Sequence, residues 1–106
     1  METPQSGDDI YHVIAAPTRR AILDELRQGE RTVGELVDCF DMTQPAISQH
    51  LKILREAGLV LPRSVGRQRL YQLNGERLRE VYDWSGHYNR FWRAKLDALG
   101  AYLEEH

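Results

Sequence analysis

Gln44, Ser48, Gln49 and Lys52 are the side chains best suited to chemistry with a partner molecule. At ~100° per helical residue, Pro45, Ser48, Gln49, Lys52 and Glu56 fall on one face, with Gln44 and Arg55 at its borders. Ile47, Leu51 and Leu54 fall on the opposite side as an apolar stripe. Short polar groups on an exposed helix face can hydrogen-bond base edges in a DNA groove. Glutamine can make two bonds to adenine, and serine is less selective. Lys52, one turn on, suits a phosphate, and so does Thr43, which also stands where a helix cap belongs. His50 lies about 60° from the apolar stripe by the same angular count, which favours packing at the core edge over base contact.

A second cluster follows closely. Arg63, Arg67 and Arg69, with Gln68 between the last two, flank a tight turn signal at Val65-Gly66-Arg67-Gln68. Arginines at a hairpin tip suit phosphate or minor-groove contact, and they also protect a sheet edge from aggregation. The formal charge of the chain is −2, which weighs against a nucleic-acid partner. Its distribution weighs the other way. Residues 43–70 hold five basic groups and one acid, Glu56, for +4; the remainder holds 9 basic and 15 acidic groups, for −6. DNA contact needs local, not global, positive charge. Arg19 and Arg20 are open to two readings: contact with DNA backbone, or pairing with nearby acids.

Other chemistries find less support. There is no glycine-rich phosphate loop and no readable histidine-centred triad, so an enzyme is not expected. One cysteine, Cys39, excludes an internal disulfide and a cysteine-rich zinc cluster. Asp83 and His87, at i and i+4, share a helix face and suit half of a metal site or an ordinary surface pair. No metal and no cofactor are expected. No apolar run approaches the ~20 residues of a membrane span, and the N-terminus lacks the pattern of a secretion signal, so a cytoplasmic location is expected.

These side chains need positioning elements. The sequence predicts a loose segment over 1–8 and a single domain over 9–105. Asp8 or Asp9 should cap a first helix over 10–15. Pro17 should open a second, with Ile22, Leu23 and Leu26 inward, ending at Gly29. Thr32 and Glu35 form a capping-box pattern that opens a short helix to about Phe40. Thr43 and Pro45 open the helix over 44–57, and Gly58 ends it. Strands are expected over 60–64 and 69–73, with Pro62 marking an edge. Asn74 should cap a last helix that runs to about Glu104 and is bent or split at Gly86. The fold class is mainly α with a small β-hairpin wing: a winged helix-turn-helix.

The segments Ala16-Pro17-Thr18-Arg19-Arg20-Ala21-Ile22-Leu23, Gly34-Glu35-Leu36, the run from Thr43 to Val60 and Arg67-Gln68-Arg69-Leu70-Tyr71 resemble the ArsR/SmtB family of bacterial winged-helix repressors. The resemblance runs from about Asp9 to Leu103. It implies a homodimer on an imperfect inverted repeat in double-stranded DNA and repression of a nearby operon. Members that sense soft metals carry cysteines where this chain has Thr32, Gly34 and Val37, so that thiolate site is absent. Zinc-sensing members use acid and histidine ligands on the last helix; the second ligand pair has no match here. The chain is thus similar to a subgroup without the cysteine motif, and no effector is readable. Redox switching by Cys39 alone would need a second molecule.

The last helix points to a dimer on its own account. Leu78, Val81, Ser85, Tyr88, Trp92, Leu96, Leu99 and Leu103 form one stripe; Trp84, Phe91, Ala98 and Tyr102 form another. Two apolar stripes exceed what a small monomer should leave bare. The expected dimer surface is Ile10, Ile14, Trp84, Tyr88, Phe91, Trp92, Leu99 and Tyr102. Two other uses of these elements remain open: a protein-interaction module, and a ligand- or metal-responsive repressor with its site on the last helix.

Overall fold

Residues 9–105 are described in the computed structural model; the expected loose segment 1–8 lies outside them. Asp9 accepts the Tyr11 N–H at 3.0 Å and starts α1, Ile10–Ile14. Pro17 occupies the first turn of α2, Pro17–Arg27, where its missing N–H costs nothing. A two-residue strand, β1 (Arg31–Thr32), precedes α3, Val33–Cys39. The capping box is formed: Thr32 Oγ1 accepts the Glu35 N–H at 3.1 Å, and Glu35 Oε1 accepts the Thr32 N–H at 2.9 Å.

Thr43 caps α4, Gln44–Glu56, by accepting the Ala46 N–H at 3.3 Å. The helix stops at Ala57 because Gly58 turns left-handed, with φ of +78°. The Gly58 N–H then reaches the Arg55 carbonyl and the Leu59 N–H the Leu54 carbonyl, both at 2.9 Å. That bond pair is the Schellman stop, and it satisfies carbonyls the helix end would otherwise leave bare. The chain leaves directly into β2, Val60–Val65, which pairs antiparallel with β3, Gln68–Leu73. Gly66 and Arg67 make the two-residue turn; Gly66 has φ of +62°, as its first position requires.

The strand order is β1-β3-β2, so Pro62 does lie on an edge strand. β1 was not expected: two residues give no periodicity to read, and the strand exists only because Arg31 and Thr32 pair with Tyr71 and Leu70. Asn74 does not cap the following helix. Its side chain donates to the Gly58 carbonyl at 2.9 Å and its N–H to the Leu59 carbonyl at 2.8 Å, tying the sheet's exit to the end of α4. A 3-10 turn, Gly75–Leu78, leads into α5, Arg79–Gly86, and then α6, Asn89–Glu105. The helix is therefore split after Gly86.

The core gathers one face from each element: Ile10 and Val13, Ile22 and Leu26, Leu36, then Ile47, Leu51 and Leu54, closed by Leu59 and Val60. α6 takes no part in it; its side chains are exposed from Asn89 to Glu104. The radius of gyration is 17.9 Å, where a compact chain of this length has about 13 Å. The excess is α6 projecting from the body.

Candidate nucleic-acid interface

Four residues, Phe40 to Thr43, join α3 to α4. The face of α4 is set by burial: Ile47, Leu51 and Leu54 are at most 1 % exposed. Each such leucine contributes about 1.5–3 kcal/mol by leaving water, so the helix cannot rotate to hide its other side. That other side is open. Thr43, Gln44, Pro45, Ser48, Gln49 and Lys52 are all exposed, and Lys52 and Arg55 outnumber Glu56.

The hairpin presents Arg67, Gln68 and Arg69 to solvent. The Arg69 guanidinium lies 5.6 Å from the centre of the Tyr71 ring, which keeps it on the sheet. Arg63, unlike these, has an acidic partner within the protein. Its guanidinium forks onto the Glu30 carboxylate at 2.7 and 3.2 Å, and hydrogen bonding to Glu30 holds its pKa above the usual value. Register explains this: Arg63, Leu70 and Thr32 stand in one cross-strand row, which carries Arg63 over to the chain just before β1. Its charge is matched locally, unlike those of Arg67 and Arg69, for which the described residues offer no ion pair.

Arg19 and Arg20 take backbone carbonyls as partners, not the nearby acids. Arg19 donates to the Val13 carbonyl at 2.6 Å and the His12 carbonyl at 3.4 Å; Arg20 donates to Ile14 and Ala15 at 2.7 and 3.1 Å. Together they satisfy the carbonyl end of α1. Arg19 also lies 3.4 Å from His50 Nδ1. His50 is half-buried, and desolvation, then the Arg19 charge, lowers its pKa. Arg77 was missed by sequence reading: it donates to the Ala57 carbonyl at the end of α4, from twenty residues away, with no local signal.

The residues do not fit the metal sites of the resembled family. Thr32 is engaged as a helix cap. Cys39 is exposed, and desolvation, then Glu25, raises its thiol pKa, away from the thiolate a soft metal needs. Asp83 lies 3.9 Å from Arg79 in an exposed i,i+4 ion pair. Among the described residues, no three His, Cys, Asp or Glu side chains come together as a metal-holding group.

The expected dimer surface divides. Trp84, Tyr88, Phe91, Trp92, Leu99 and Tyr102 are each at least half exposed. Trp84 and Tyr88 pack edge to face at 5.5 Å, and Trp84 meets Tyr11 of α1 at 5.7 Å. Ile14 is half-buried. Ile10 is corrected: it is 1 % exposed and packs in its own protomer's core, leaving no surface for a partner.

Two short helices at the helix-turn-helix spacing, followed by an antiparallel hairpin, define a winged helix-turn-helix protein. The family model described as "Bacterial regulatory protein, arsR family" matches residues 16–61. The HTH-type transcriptional regulator Rv2034 of Mycobacterium tuberculosis is 40% identical over 104 residues, covering 98% of this chain and 94% of that one. The transcriptional repressor SdpR of Bacillus subtilis is 35% identical over 77 residues, covering 73% and 86%. A crystal structure of a possible transcriptional regulator for arsenical resistance superposes with a TM-score of 0.66 at 40% identity, covering 92% and 96%. The chain belongs to the ArsR family of DNA-binding transcriptional regulators, a class that regulates and does not catalyse.

Proposed function

We propose that the protein is a homodimeric repressor that binds a specific inverted repeat and answers to no metal. The observation that carries this reading is the two-sidedness of α4. Its apolar side is locked in the core, and its open side carries Gln44, Ser48 and Gln49 for base edges, with Thr43 and Lys52 for backbone. Arg67, Gln68 and Arg69 extend the contact onto the neighbouring backbone; Arg63 acts through Glu30 as a brace for the wing. Such a protein works in the cytoplasm, where its operator lies.

The dimer follows from α6. Trp92, Leu96, Leu99 and Leu103 recur at steps of four, three and four and are all exposed. The first half of the helix is basic (Arg90, Arg93, Lys95), Asp97 stands at its middle, and its end is acidic (Glu104, Glu105). Two copies lying antiparallel would cover the stripe and set basic halves against acidic ones. A two-fold dimer places two copies of α4 on one DNA face, about 34–36 Å apart.

Selection of bound duplexes from a random pool tests the reading. The expected result is one palindromic sequence bound on the order of a thousandfold or more above random DNA at physiological salt. Equal affinity for both ends the proposal. Binding that is the same with added zinc and with a chelator supports the metal-free reading; a zinc-dependent change refutes it.

A further inference from the structure

α1 is only five residues long, too short to hold its shape alone, yet it touches two functional elements. On one side Tyr11 meets α5: its ring packs on Trp84 at 5.7 Å and its hydroxyl donates to the Glu80 carbonyl at 3.3 Å. On the other side the carbonyls of His12 and Val13 receive Arg19, whose remaining nitrogen reaches His50 on α4. The aromatic elements and the DNA-reading helix are therefore linked through one guanidinium. We propose that Arg19 is a positioning residue for DNA recognition: it fixes α4 relative to α1 and α5 through His50, and does not itself grip DNA.

Three features carry this. First, all three nitrogens of the Arg19 guanidinium already face acceptors within the protein, which leaves only the second N–H of Nη1 and of Nη2 for a phosphate. Second, a planar fork can serve divergent acceptors at once, which an ammonium on a flexible stem cannot do as well. Third, His50 can accept from Arg19 only through an unprotonated Nδ1, which places any ring proton on Nε2. Of the charged groups on α2, α3 and β2, which pack against α4, Arg19 is the one that acts on His50. That contact favours the neutral ring.

The inference rests on the repressor reading, and the two fail in different ways. A wild-type protein without sequence preference defeats both. The inference itself is read from variants of the full chain, by fluorescence anisotropy on the selected operator and on random duplex over a salt series. Arg19→Met should weaken operator binding at least tenfold. It should leave random-DNA binding within about twofold and the salt slope unchanged. His50→Leu should match it, and the double variant should be no worse than either, because both break one link. His50→Gln, whose amide oxygen can still accept, should retain most of the affinity. Arg19→Lys keeps the charge and should still lose specificity, and it serves if Arg19→Met does not fold. Equal weakening on both DNAs with a shallower salt slope would make Arg19 a phosphate contact and overturn the proposal. So would additive effects of the two single variants, or a fall in melting temperature with specificity intact.

Discussion

Replacing Leu96 with alanine should separate the dimer without disturbing the fold. Leu96 is 63% exposed and touches no core element, so its side chain contributes little to the protomer. Fully burying a leucine is worth about 1.5–3 kcal/mol, so covering the exposed fraction is worth about 1–2 kcal/mol. A two-fold interface loses that twice, about 2–4 kcal/mol in all. At about 1.4 kcal/mol per tenfold, the dimer dissociation constant should rise roughly 30- to 1,000-fold. Sedimentation equilibrium over a concentration series measures this, and circular dichroism of the dilute monomer should show unchanged helix content. Operator affinity should fall in parallel, since a lone protomer holds one half-site. An unchanged dimerisation constant would refute the assignment of α6 to the interface. A collapse of monomer structure would refute the claim that α6 stands outside the core.

Leu51→Ala should act on the fold instead: the side chain is 1 % exposed in the centre of the core, and its loss should cost about 2–5 kcal/mol in chemical denaturation. Arg67→Ala should weaken binding to all sequences alike and make the slope of log K against log salt shallower by about one per phosphate lost, whereas Arg63→Ala, already matched by Glu30, should leave the slope nearly unchanged. Glu35 has a lowered pKa because the Thr32 backbone N–H and hydroxyl bond its carboxylate. Its contribution is therefore present above the ordinary carboxylate pKa and is lost as pH falls through the depressed folded value. Thermal melts should show Glu35→Gln less stable than wild type near neutrality, with the gap closing in that acid window.

Most of the helical frame was legible because its signals are local. Thr32 and Glu35, Thr43 and Pro45, and Gly58 each act within four residues, and the stripe Ile47, Leu51, Leu54 repeats at the helical period. The open face of α4 follows directly from that stripe. What stayed hidden depends on residues far apart in the chain. β1 exists only through its pairing with β3, and the Arg63–Glu30 fork depends on that pairing. Asn74 stands at the N-cap position of the 3-10 turn, but its side chain donates to the Gly58 carbonyl, sixteen residues back, instead of capping. Arg19 and Arg20 offered only charge to the reader; their partners are carbonyls, which carry no sequence signature. Ile10 was placed on the surface because a five-residue helix is too short to show which face is buried.

The charge division has a physical consequence for specificity. Non-specific affinity comes almost wholly from phosphate contacts. With Arg63 matched by Glu30, the exposed cations that the proposed reading leaves for phosphate are Lys52, Arg67 and Arg69, with Arg55 at the border of the α4 face. The acids outside residues 43–70 outnumber the bases there by six, so the rest of the chain is on balance less favourable to DNA. On the proposed reading, discrimination between operator and bulk DNA comes from base contacts made twice, at the spacing that pairing through α6 would set. That reading thereby puts α6, which stands apart from α4 and the hairpin, among the determinants of sequence specificity.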